Sequence, residues 1–250
     1  IETGLAALAA LSPDLLVLTG IDYDQGQAAL GVLAARLDYP AMHSAMPNAG
    51  QPSGFDLDAN GRLGEARDAW GYGRFPGAGG MAVLARWRVA MTADATGTPW
   101  AALPGADPPL TSEGAPFPDA EAFAAQPLPD LAHWTLRLDW SLGAPLTLRT
   151  FAAAPPVFDG PEDRNGRRNA DETRLALDWL DTTPPGPLAV LATLNLDPLD
   201  GEGRRGPLAR LLAHPALQDP EPRSPGGLAK STEQGGRNTG HRGDPATDTG

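Results

Sequence analysis

The sequence predicts an α/β protein with two packed β-sheets and helices on their outer faces. Two continuous apolar runs, at residues 14–19 and 187–194, have the composition of strands that are covered on both faces. Each run is accompanied by a helical pattern, whereas the strands between the two runs form hairpins. Strands joined to helices near both ends of the chain, with hairpin strands in the middle, favour two packed sheets over one parallel sheet.

The composition is that of a folded, acidic protein. The chain has 250 residues, of which 41% are hydrophobic, and this is enough for a packed core in one large domain or two small ones. Its net charge of −12 argues against extended binding to nucleic acid, which requires clustered Lys and Arg. Anions are expected to bind only where arginines or a bound cation reverse the field locally.

The absence of cysteine excludes disulfides, thiolate nucleophiles and zinc–thiolate sites. No apolar run approaches the roughly 18 residues of a membrane span, and no signal segment is visible. We therefore expect a soluble protein without a membrane partner; its compartment stays open, with secretion or a periplasmic location as alternatives. The chain begins at Ile1 and ends at Gly250 without a closing element, which is typical of a fragment.

The first strand is expected to carry an acidic loop at its carboxyl end. A short Ala/Leu helix at residues 5–11 precedes the strand at 14–19, and a helix with leucines at core spacing follows at 27–38. Asp22 and Asp24 lie between the strand and the second helix. Carboxylates in this position are candidate metal ligands.

Residues 40–80 are predicted to be mostly loop and contain a candidate cation-binding turn. Asp56, Asp58 and Asn60 alternate and are followed by a glycine, the spacing with which calcium loops point oxygens inward before a sharp turn. The twelfth position of an EF-hand would be Arg67, which cannot ligate a cation, so a true EF-hand is excluded. A looser loop that binds Ca²⁺ and an Asx-rich turn without an ion both stay open.

The middle of the chain predicts a buried strand and a hairpin. Residues 80–86 form an apolar run, whereas residues 92–129 are rich in Pro, Ala and Gly and predict a long surface excursion. Residues 133–140 alternate, with His133 on the polar face, and a turn leads into a second strand at Leu146. The other face of the first strand carries its large apolar side chains, Trp134, Leu136, Leu138 and Trp140.

A charged segment follows the hairpin and leads into a predicted helix. A Pro-Pro pair breaks the strand, and residues 159–169 carry three acidic side chains, three arginines and two asparagines. Asn169 is predicted to cap a helix at 171–180, with Glu172 in the capping-box position. α/β proteins place chemistry in such loops at the ends of strands, and a solvated connection whose charges pair with one another is the alternative.

The last predicted elements are the strand at 187–194, a polar loop at 195–201 and a short helix at 207–213. From residue 220 onward the chain is polar and rich in Gly and Pro, without an apolar period. Residues 221–250 are therefore predicted to be a mobile loop or tail.

Several of these segments together resemble the endonuclease/exonuclease/phosphatase superfamily, which has the DNase I-like fold, and more narrowly its bacterial members. They occur in the family's order and span nearly the whole chain: residues 14–24, 52–58, 80–86, 155–169, 195–198 and 241–245. The resemblance implies one domain over residues 1–250, a four-layer α/β sandwich, and hydrolysis of a small phosphoester or phosphodiester with Mg²⁺ or Mn²⁺. Within the charged segment it makes Asn165 and Arg167 candidates for phosphate binding.

The catalytic pattern of the superfamily is incomplete in this sequence. Gly20 stands where members usually have a metal-binding glutamate, Ala152 where a histidine usually ends a strand, and Thr193 where the Gly-Asp-x-Asn motif has its aspartate. Asn195 matches the asparagine of that motif. The family's first-strand asparagine would precede the first residue and its final Asp-His pair would follow the last, so the resembling domain is expected to be truncated at both ends.

These replacements affect groups that the reaction needs. Metal-assisted hydrolysis of a phosphoester requires carboxylates for the cation, a base for the water, and donors for the developing charge. Asn195 can still orient a phosphate oxygen and Asp197 is the second catalytic candidate, with Asp22 and Asp24 as further replacement carboxylates. Three functions stay open: a metal-dependent phosphoesterase with weak or no activity, a non-catalytic relative that binds a phosphorylated ligand or a partner, and an acidic calcium-binding extracellular module.

The resemblance also bears on stability. The fold needs its first and last strands paired in the centres of the two sheets. Without them, the strands at 14–19 and 187–194 would each present an unpaired edge. We expect residues 1–250 alone to be marginally stable or to aggregate.

Overall fold

The computed structural model describes residues 2–199 and 202–220, with side chains from residue 4 onward. Within these ranges, the helices are α1 (Glu2–Leu11), α2 (Ala28–Arg36), α3 (Ala120–Ala125), α4 (Arg164–Thr182) and α5 (Gly206–Leu212). The strands are β1 (Leu15–Ile21), β2 (Ala41–Ser44), β3 (Gly80–Ala85), β4 (Val89–Asp94), β5 (His133–Leu138), β6 (Leu146–Ala152) and β7 (Leu188–Thr193).

The strands form two sheets. Sheet I has the order β1-β3-β2 and both of its pairs are antiparallel. Sheet II has the order β4-β5-β6-β7, in which the last pair is parallel and the other two are antiparallel. The predicted hairpin is therefore present as β5–β6, and the two apolar runs of the sequence analysis are the strands β1 and β7.

The core lies between the sheets. Met81 and Val83 of β3 are fully buried and pack against the inner face of sheet II. The alternation predicted for residues 133–138 is confirmed, because Trp134, Leu136 and Leu138 all belong to this core and Trp140 packs against it. Large apolar side chains at every second position of β5 hold the two sheets together.

Helices cover both outer faces. On sheet I, Leu30 and Ala34 of α2 pack against Ala82 and Leu84 of β3. On sheet II, Ala176 of α4 packs against Phe151 of β6, and side chains of α5 join α4 in the same layer. The order helices, sheet, sheet, helices confirms the four-layer α/β sandwich.

The boundary of α4 differs from the sequence prediction. The helix begins at Arg164, so Asn169 and Glu172 lie within it and are fully buried, and the prediction of an N-cap at Asn169 was wrong. Its charged first turns are held by tertiary contacts, which local capping signals do not report. The connecting loop is accordingly shorter than the predicted 159–169.

His133 was predicted on the polar face of its strand, and the structure places it there, but this face is covered at His133. Its side chain is completely buried, and its ring stacks on that of Phe151 at a centroid distance of 4.3 Å. The alternation of β5 was assigned correctly, but α4 covers the face that carries the polar residues. An amphipathic period shows which residues share a face and does not show what covers that face.

Three short elements were missed. β2 lies in the region predicted to be mostly loop, and the end of β4 and all of α3 lie in the predicted surface excursion. β4 (Val89–Asp94) contains small and polar residues and its side chains are largely exposed, so it has little apolar signal. α3 has only six residues and starts at a cap, Asp119, which accepts a hydrogen bond from Ala122 N.

β1 and β7 are edge strands in the part of the chain that the structure describes. Both are largely half-buried, in contrast to β3, which is buried along its whole length. Among the described residues, no helix is long and apolar enough to span a bilayer. The predictions for residues 221–250, including the resembling segment 241–245, lie outside the described residues.

Candidate functional site

The carboxyl ends of β1, β6 and β7 meet at one end of the sandwich, which we call the rim. The hydroxyl oxygens of Thr19 and Thr193 lie 3.2 Å apart and join the edge strands of the two sheets. Ala152 is the partner of Thr193 in the β6–β7 register, and Ala153 N donates to Thr193 O at 2.9 Å. Gly20 adjoins Thr19, at a register irregularity of β1 where it adopts a φ of +76°.

The three positions at which the sequence departs from the superfamily pattern therefore lie at one place. The sequence analysis assigned these residues to three separate strands: Gly20, Ala152 and Thr193. The ends of these strands meet at the rim. In this structure the rim presents hydrogen, a methyl group and a hydroxyl where the pattern has a carboxylate, an imidazole and a carboxylate. These three groups include no carboxylate or imidazole that could hold a divalent cation. They also include no base that could activate water near neutral pH.

Asn195 adjoins the rim just after β7. It adopts a left-handed backbone conformation with φ of +49°, and its side chain is exposed. Its amide Nδ2 donates to Ala153 O at 2.8 Å, which ties the loop after β7 to the loop after β6. The amide thus has a structural contact, and its predicted role toward a phosphate oxygen stays a prediction.

The acidic residues predicted near the rim have backbone partners. Asp24 accepts hydrogen bonds from Ala28 N at 2.7 Å and Ala29 N at 3.0 Å, so it holds the start of α2. Asp22 accepts one from Gly79 N at 2.8 Å. Asp197 accepts one from Leu199 N at 2.6 Å.

The metal that the resemblance implies requires several carboxylates that can reach one ion. Within residues 2–199 and 202–220, neither Asp22, Asp24 nor Asp197 belongs to a group of three or more side chains that could share an ion. The rim therefore does not fit a divalent cation with the residues that the structure describes, and no catalytic step is derived through one.

The two predicted phosphate-binding residues lie in the first turns of α4. Asn165 Nδ2 donates to Val157 O at 2.7 Å, and Arg167 Nε donates to Glu162 O at 3.1 Å. The guanidinium of Arg167 also pairs with Asp107. Both side chains fasten neighbouring loops to α4, and phosphate binding by either stays a prediction.

The contact of Arg167 is part of an ion-pair network that joins three segments of the chain. Arg204 lies beyond β7 and donates to Asp107 and to Asp163, each at 2.7 Å. The two arginines thus share Asp107 between them. The alternative considered for the charged segment was that its charges pair with one another. Here Arg167 and Asp163 pair instead with Asp107 and Arg204, which lie outside the segment.

Sequence reasoning missed a set of buried polar residues in α4, Arg168, Asn169, Asp171 and Glu172, which we call the polar hub. Arg168 is 3% exposed and pairs with Asp130 Oδ1 at 3.0 Å. The same guanidinium donates to three successive backbone carbonyls, at 2.8 Å to one and 3.0 Å to the others: Pro127, Leu128 and Pro129. A signal for the hub was present in the sequence, since arginines recur at i and i+4 and acidic residues follow them along the helix.

Glu172 and Asn169 extend the hub toward the rim. Glu172 is completely buried and accepts hydrogen bonds from Asp130 N at 2.6 Å and Ala154 N at 2.7 Å. Burial raises the pKa of its carboxyl to about 8. Asn169 Nδ2 donates to Ala154 O at 2.7 Å and to Leu194 O at 2.6 Å, and so sets the spacing of the two rim loops.

Asp171 anchors the hub to the long excursion. Its Oδ2 accepts hydrogen bonds from Trp100 Nε1 and from Asp107 N, both at 2.8 Å. Its Oδ1 accepts one from Arg174 at 2.6 Å. Arg168 and Asn169 of the charged segment, together with Asp171 and Glu172, thus form a buried scaffold that holds the neighbouring loops.

The predicted calcium turn forms a cluster of carboxylates, which we call the acidic loop (residues 56–68). Asp56, Asp58 and Asp68 each offer a carboxylate oxygen, and these oxygens lie within 4.8 Å of one another. Sequence reasoning missed Asp68, which follows the excluded twelfth position, Arg67, by one residue. Asn60 stays at the cluster through a hydrogen bond from its Nδ2 to Asp58 Oδ2 at 3.1 Å.

The acidic loop is also held by hydrogen bonds of its own. Asp68 is 3% exposed, and its two oxygens accept from Leu57 N and Glu65 N, both at 3.0 Å. Asp56 accepts from Asn60 N at 3.1 Å and from Gly61 N at 2.7 Å. These contacts use part of the capacity of the carboxylate oxygens to accept hydrogen bonds. They also hold the turn in its conformation without an ion.

The fold is similar to that of known structures. An endonuclease/exonuclease/phosphatase from Beutenbergia cavernae DSM 12333 superimposes with a TM-score of 0.50 at 15% identity, over 84% of this chain and 47% of that chain. A sphingomyelinase C from Streptomyces griseocarneus gives a TM-score of 0.44 at 15% identity, over 88% of this chain and 64% of that chain. This chain spans about half the length of the first structure, 47%. No curated protein sequence matches it.

A match to a family model shows which protein family the chain belongs to. The model described as "Endonuclease/Exonuclease/phosphatase family" matches residues 5–249, which is nearly the whole chain. The four-layer sandwich agrees with this match, as does the likeness in fold to the Beutenbergia structure. The chain belongs to the endonuclease/exonuclease/phosphatase family.

Proposed function

We propose that this chain is a phosphoesterase-type relative whose rim has little or no hydrolytic activity. One observation carries the proposal: Gly20, Ala152 and Thr193 lie at the rim where the strand ends meet. Losing a catalytic group commonly costs a factor of about 10³–10⁴ in rate or more. Three such replacements at one rim leave Asn195 to orient a phosphate oxygen without a base beside it.

Hydrolysis of bis-p-nitrophenyl phosphate and of plasmid DNA, each with Mg²⁺ or Mn²⁺, tests the proposal. We expect no metal-dependent turnover by the pure 250-residue chain. The matched variant is Asn195→Ala, which removes the one residue that fits the family motif. Turnover that requires the metal and that Asn195→Ala abolishes would overturn the proposal, because it would place a working site at the rim.

A non-catalytic role for the same rim is the natural alternative to turnover. Asn195 is exposed, so a phosphorylated ligand can reach it from solvent. Binding of p-nitrophenyl phosphate without hydrolysis, weakened by Asn195→Ala, would support this role. Absence of both binding and turnover would leave the rim without a function toward phosphoesters.

We propose as a second function that the acidic loop binds a divalent cation, with Ca²⁺ the best fit. The supporting observation is Asp68, a residue outside the motif that tertiary structure brings to Asp56 and Asp58. Oxygen ligands from carboxylates and an amide suit Ca²⁺, which tolerates irregular coordination. The ion would bind more tightly here than near Asn195, because the rim has no carboxylate at the matched positions.

Calorimetric titration with CaCl₂ tests this second function. We expect Asp58→Ala to lose binding, because it removes one of the three clustered carboxylates. Asp178→Ala is the control, since Asp178 is exposed on the last turns of α4. Unchanged Ca²⁺ binding in Asp58→Ala would remove the acidic loop as the site, and no binding to the parent chain would refute the function altogether.

A further inference from the structure

A second concave site lies at the end of sheet II that is opposite to the rim. It is a cavity of about 410 Å³ between the start of β6, the start of β7 and the last turn of α4, and we call it the outer cavity. This volume falls in the range of about 300–1,000 Å³ that is typical of small-molecule sites. The residues used below line it: Thr135, Thr147, Trp179, Thr183 and Pro187.

A buried arginine lies against two of these lining residues. Arg149 of β6 is 3% exposed, and its Nη1 donates to Thr135 Oγ1 at 2.8 Å. Its guanidinium carbon lies 5.4 Å from the centre of the Trp179 ring. One side of the outer cavity is therefore formed by Thr135 and Trp179, which hold the guanidinium of Arg149 in place.

Arg149 has no counter-ion among the residues that the structure describes. Its Nε is buried without a hydrogen-bond partner, and no carboxylate there lies within ion-pair distance of it. The carboxylate whose charge acts on it is that of Asp94, an exposed residue that does not touch it. Burial lowers the pKa of Arg149 to about 10, so the group keeps its charge at neutral pH.

The other buried arginines have more negative charge around them. Arg168 has Asp130 at 3.0 Å. Arg164 also has a buried Nε without a hydrogen-bond partner, but it lies in the field of three carboxylates, whereas Arg149 lies in the field of one. A buried charge without a partner is costly, and proteins ordinarily resolve the cost with a counter-ion. At Arg149 the wall of the outer cavity supplies only threonine hydroxyls, an indole and apolar groups, and none of its lining residues is acidic.

We propose that the outer cavity binds a small organic anion with an aromatic or apolar body. Arg149 does not itself line the cavity but lies behind Thr135, whose hydroxyl oxygen accepts its hydrogen bond. The oxyanion would accept hydrogen bonds from the hydroxyls of Thr135 and Thr147, and the positive charge of Arg149 behind them would favour an anion over a neutral ligand. The body of the ligand would pack on Trp179 and the proline-rich turn that follows α4. The site is separate from the rim, since the two occupy opposite ends of β6 and β7, and it does not depend on the function proposed for the rim.

A matched pair of probes tests the charge requirement. We would titrate the 250-residue chain with 2-naphthoate and with neutral 2-naphthamide, following both the tryptophan fluorescence and the heat of binding. Charge-assisted hydrogen bonds commonly change affinity about tenfold or more, so naphthoate should bind at least about tenfold more tightly than naphthamide. No binding of naphthoate at about 1 mM, or equal binding of the two probes, would overturn the proposal.

Variants locate the effect at Arg149. Arg149→Met keeps the length of the side chain and removes its charge, so the preference for naphthoate should disappear. Arg137→Met is the matched control on β5, because Arg137 is exposed and pairs with Asp139 outside the cavity lining. An unchanged preference in Arg149→Met, or its loss in Arg137→Met, would refute the assignment.

A second variant keeps the test decisive if Arg149→Met fails to fold. Thr147→Phe retains the arginine and places a large ring where Thr147 lines the cavity. It should lower the affinity for naphthoate about tenfold or more while leaving thermal melting cooperative. Unchanged affinity in a folded Thr147→Phe variant would show that naphthoate binds elsewhere and would overturn the proposal.

Discussion

The polar hub and the rim are adjacent, and they differ in the kind of side chain that they contain. In the hub, Arg168 and Glu172 are buried, and their hydrogen bonds reach two separate segments, residues 127–130 and Ala154. The rim carries a glycine, an alanine and two threonines, with one hydroxyl–hydroxyl contact between its sheets. Asn169 connects the two regions through the carbonyls of Ala154 and Leu194.

Charge density in a sequence therefore does not locate a catalytic site. Arg168 of the charged segment became part of the scaffold because it found a buried partner, Asp130, whereas Gly20, Ala152 and Thr193 of the rim carry no acidic or basic group where the resemblance leads one to expect them. A functional search guided by titratable residues alone would select the hub. The following changes test whether the hub is structural and the rim dispensable for stability.

The largest effect is expected from Arg168→Ala. The substitution leaves Asp130 buried without its partner and removes the donor to three carbonyls, so the free energy of unfolding should fall by about 3–5 kcal/mol. Urea denaturation followed by tryptophan fluorescence measures it. Arg210→Ala, on an exposed position of α5, is the control and should change stability by about 0.5 kcal/mol or less. A loss below about 1 kcal/mol in Arg168→Ala would contradict the structural role of the hub.

A smaller, pH-dependent effect is expected from Glu172→Gln. Since the folded pKa of about 8 lies above the ordinary 4.5, the folded protein holds a proton that the unfolded chain releases. The stabilisation from this group is therefore complete below about pH 4.5 and is lost as the pH rises towards 8.

Glutamine does not titrate, and its amide group replaces one acceptor oxygen by a donor. The substitution should lower the free energy of unfolding by about 1–3 kcal/mol. The difference in unfolding free energy between the parent and Glu172→Gln should accordingly be larger at pH 5.5 than at pH 8.5, when measured in urea at both values. A difference that grows with pH would mean that Glu172 is ionised in the folded protein.

The smallest effect on stability is expected from Asn195→Ala. Asn195 is exposed and donates one hydrogen bond, to Ala153 O, so its loss should cost about 1 kcal/mol or less. The same urea titration measures it beside Arg168→Ala. If the two variants lost similar stability, the rim would be as much a part of the scaffold as the hub, and the contrast between the two regions would fail.

Much of the fold could be predicted from the sequence. The apolar runs that became β1, β3 and β7 and the alternation of β5 are local signals, and each was assigned to the right kind of element. The four layers followed from the resemblance that these segments carried. The sequence also named Gly20, Ala152 and Thr193 as departures from the superfamily pattern, and the structure brings the three together. That they replace catalytic groups stays a prediction.

Local patterns in the sequence were enough to find the long apolar strands and to assign the residues that share an apolar face. Tertiary structure alone decided which polar faces are covered: His133 lies under α4, Asn169 lies inside the helix that it was predicted to cap, and Asp68 joins Asp56 across the turn. It also left Arg149 buried beside a cavity without a counter-ion. The physical reason is that periodicity depends on neighbours along the chain, whereas the partner of a buried charge comes from segments distant in sequence.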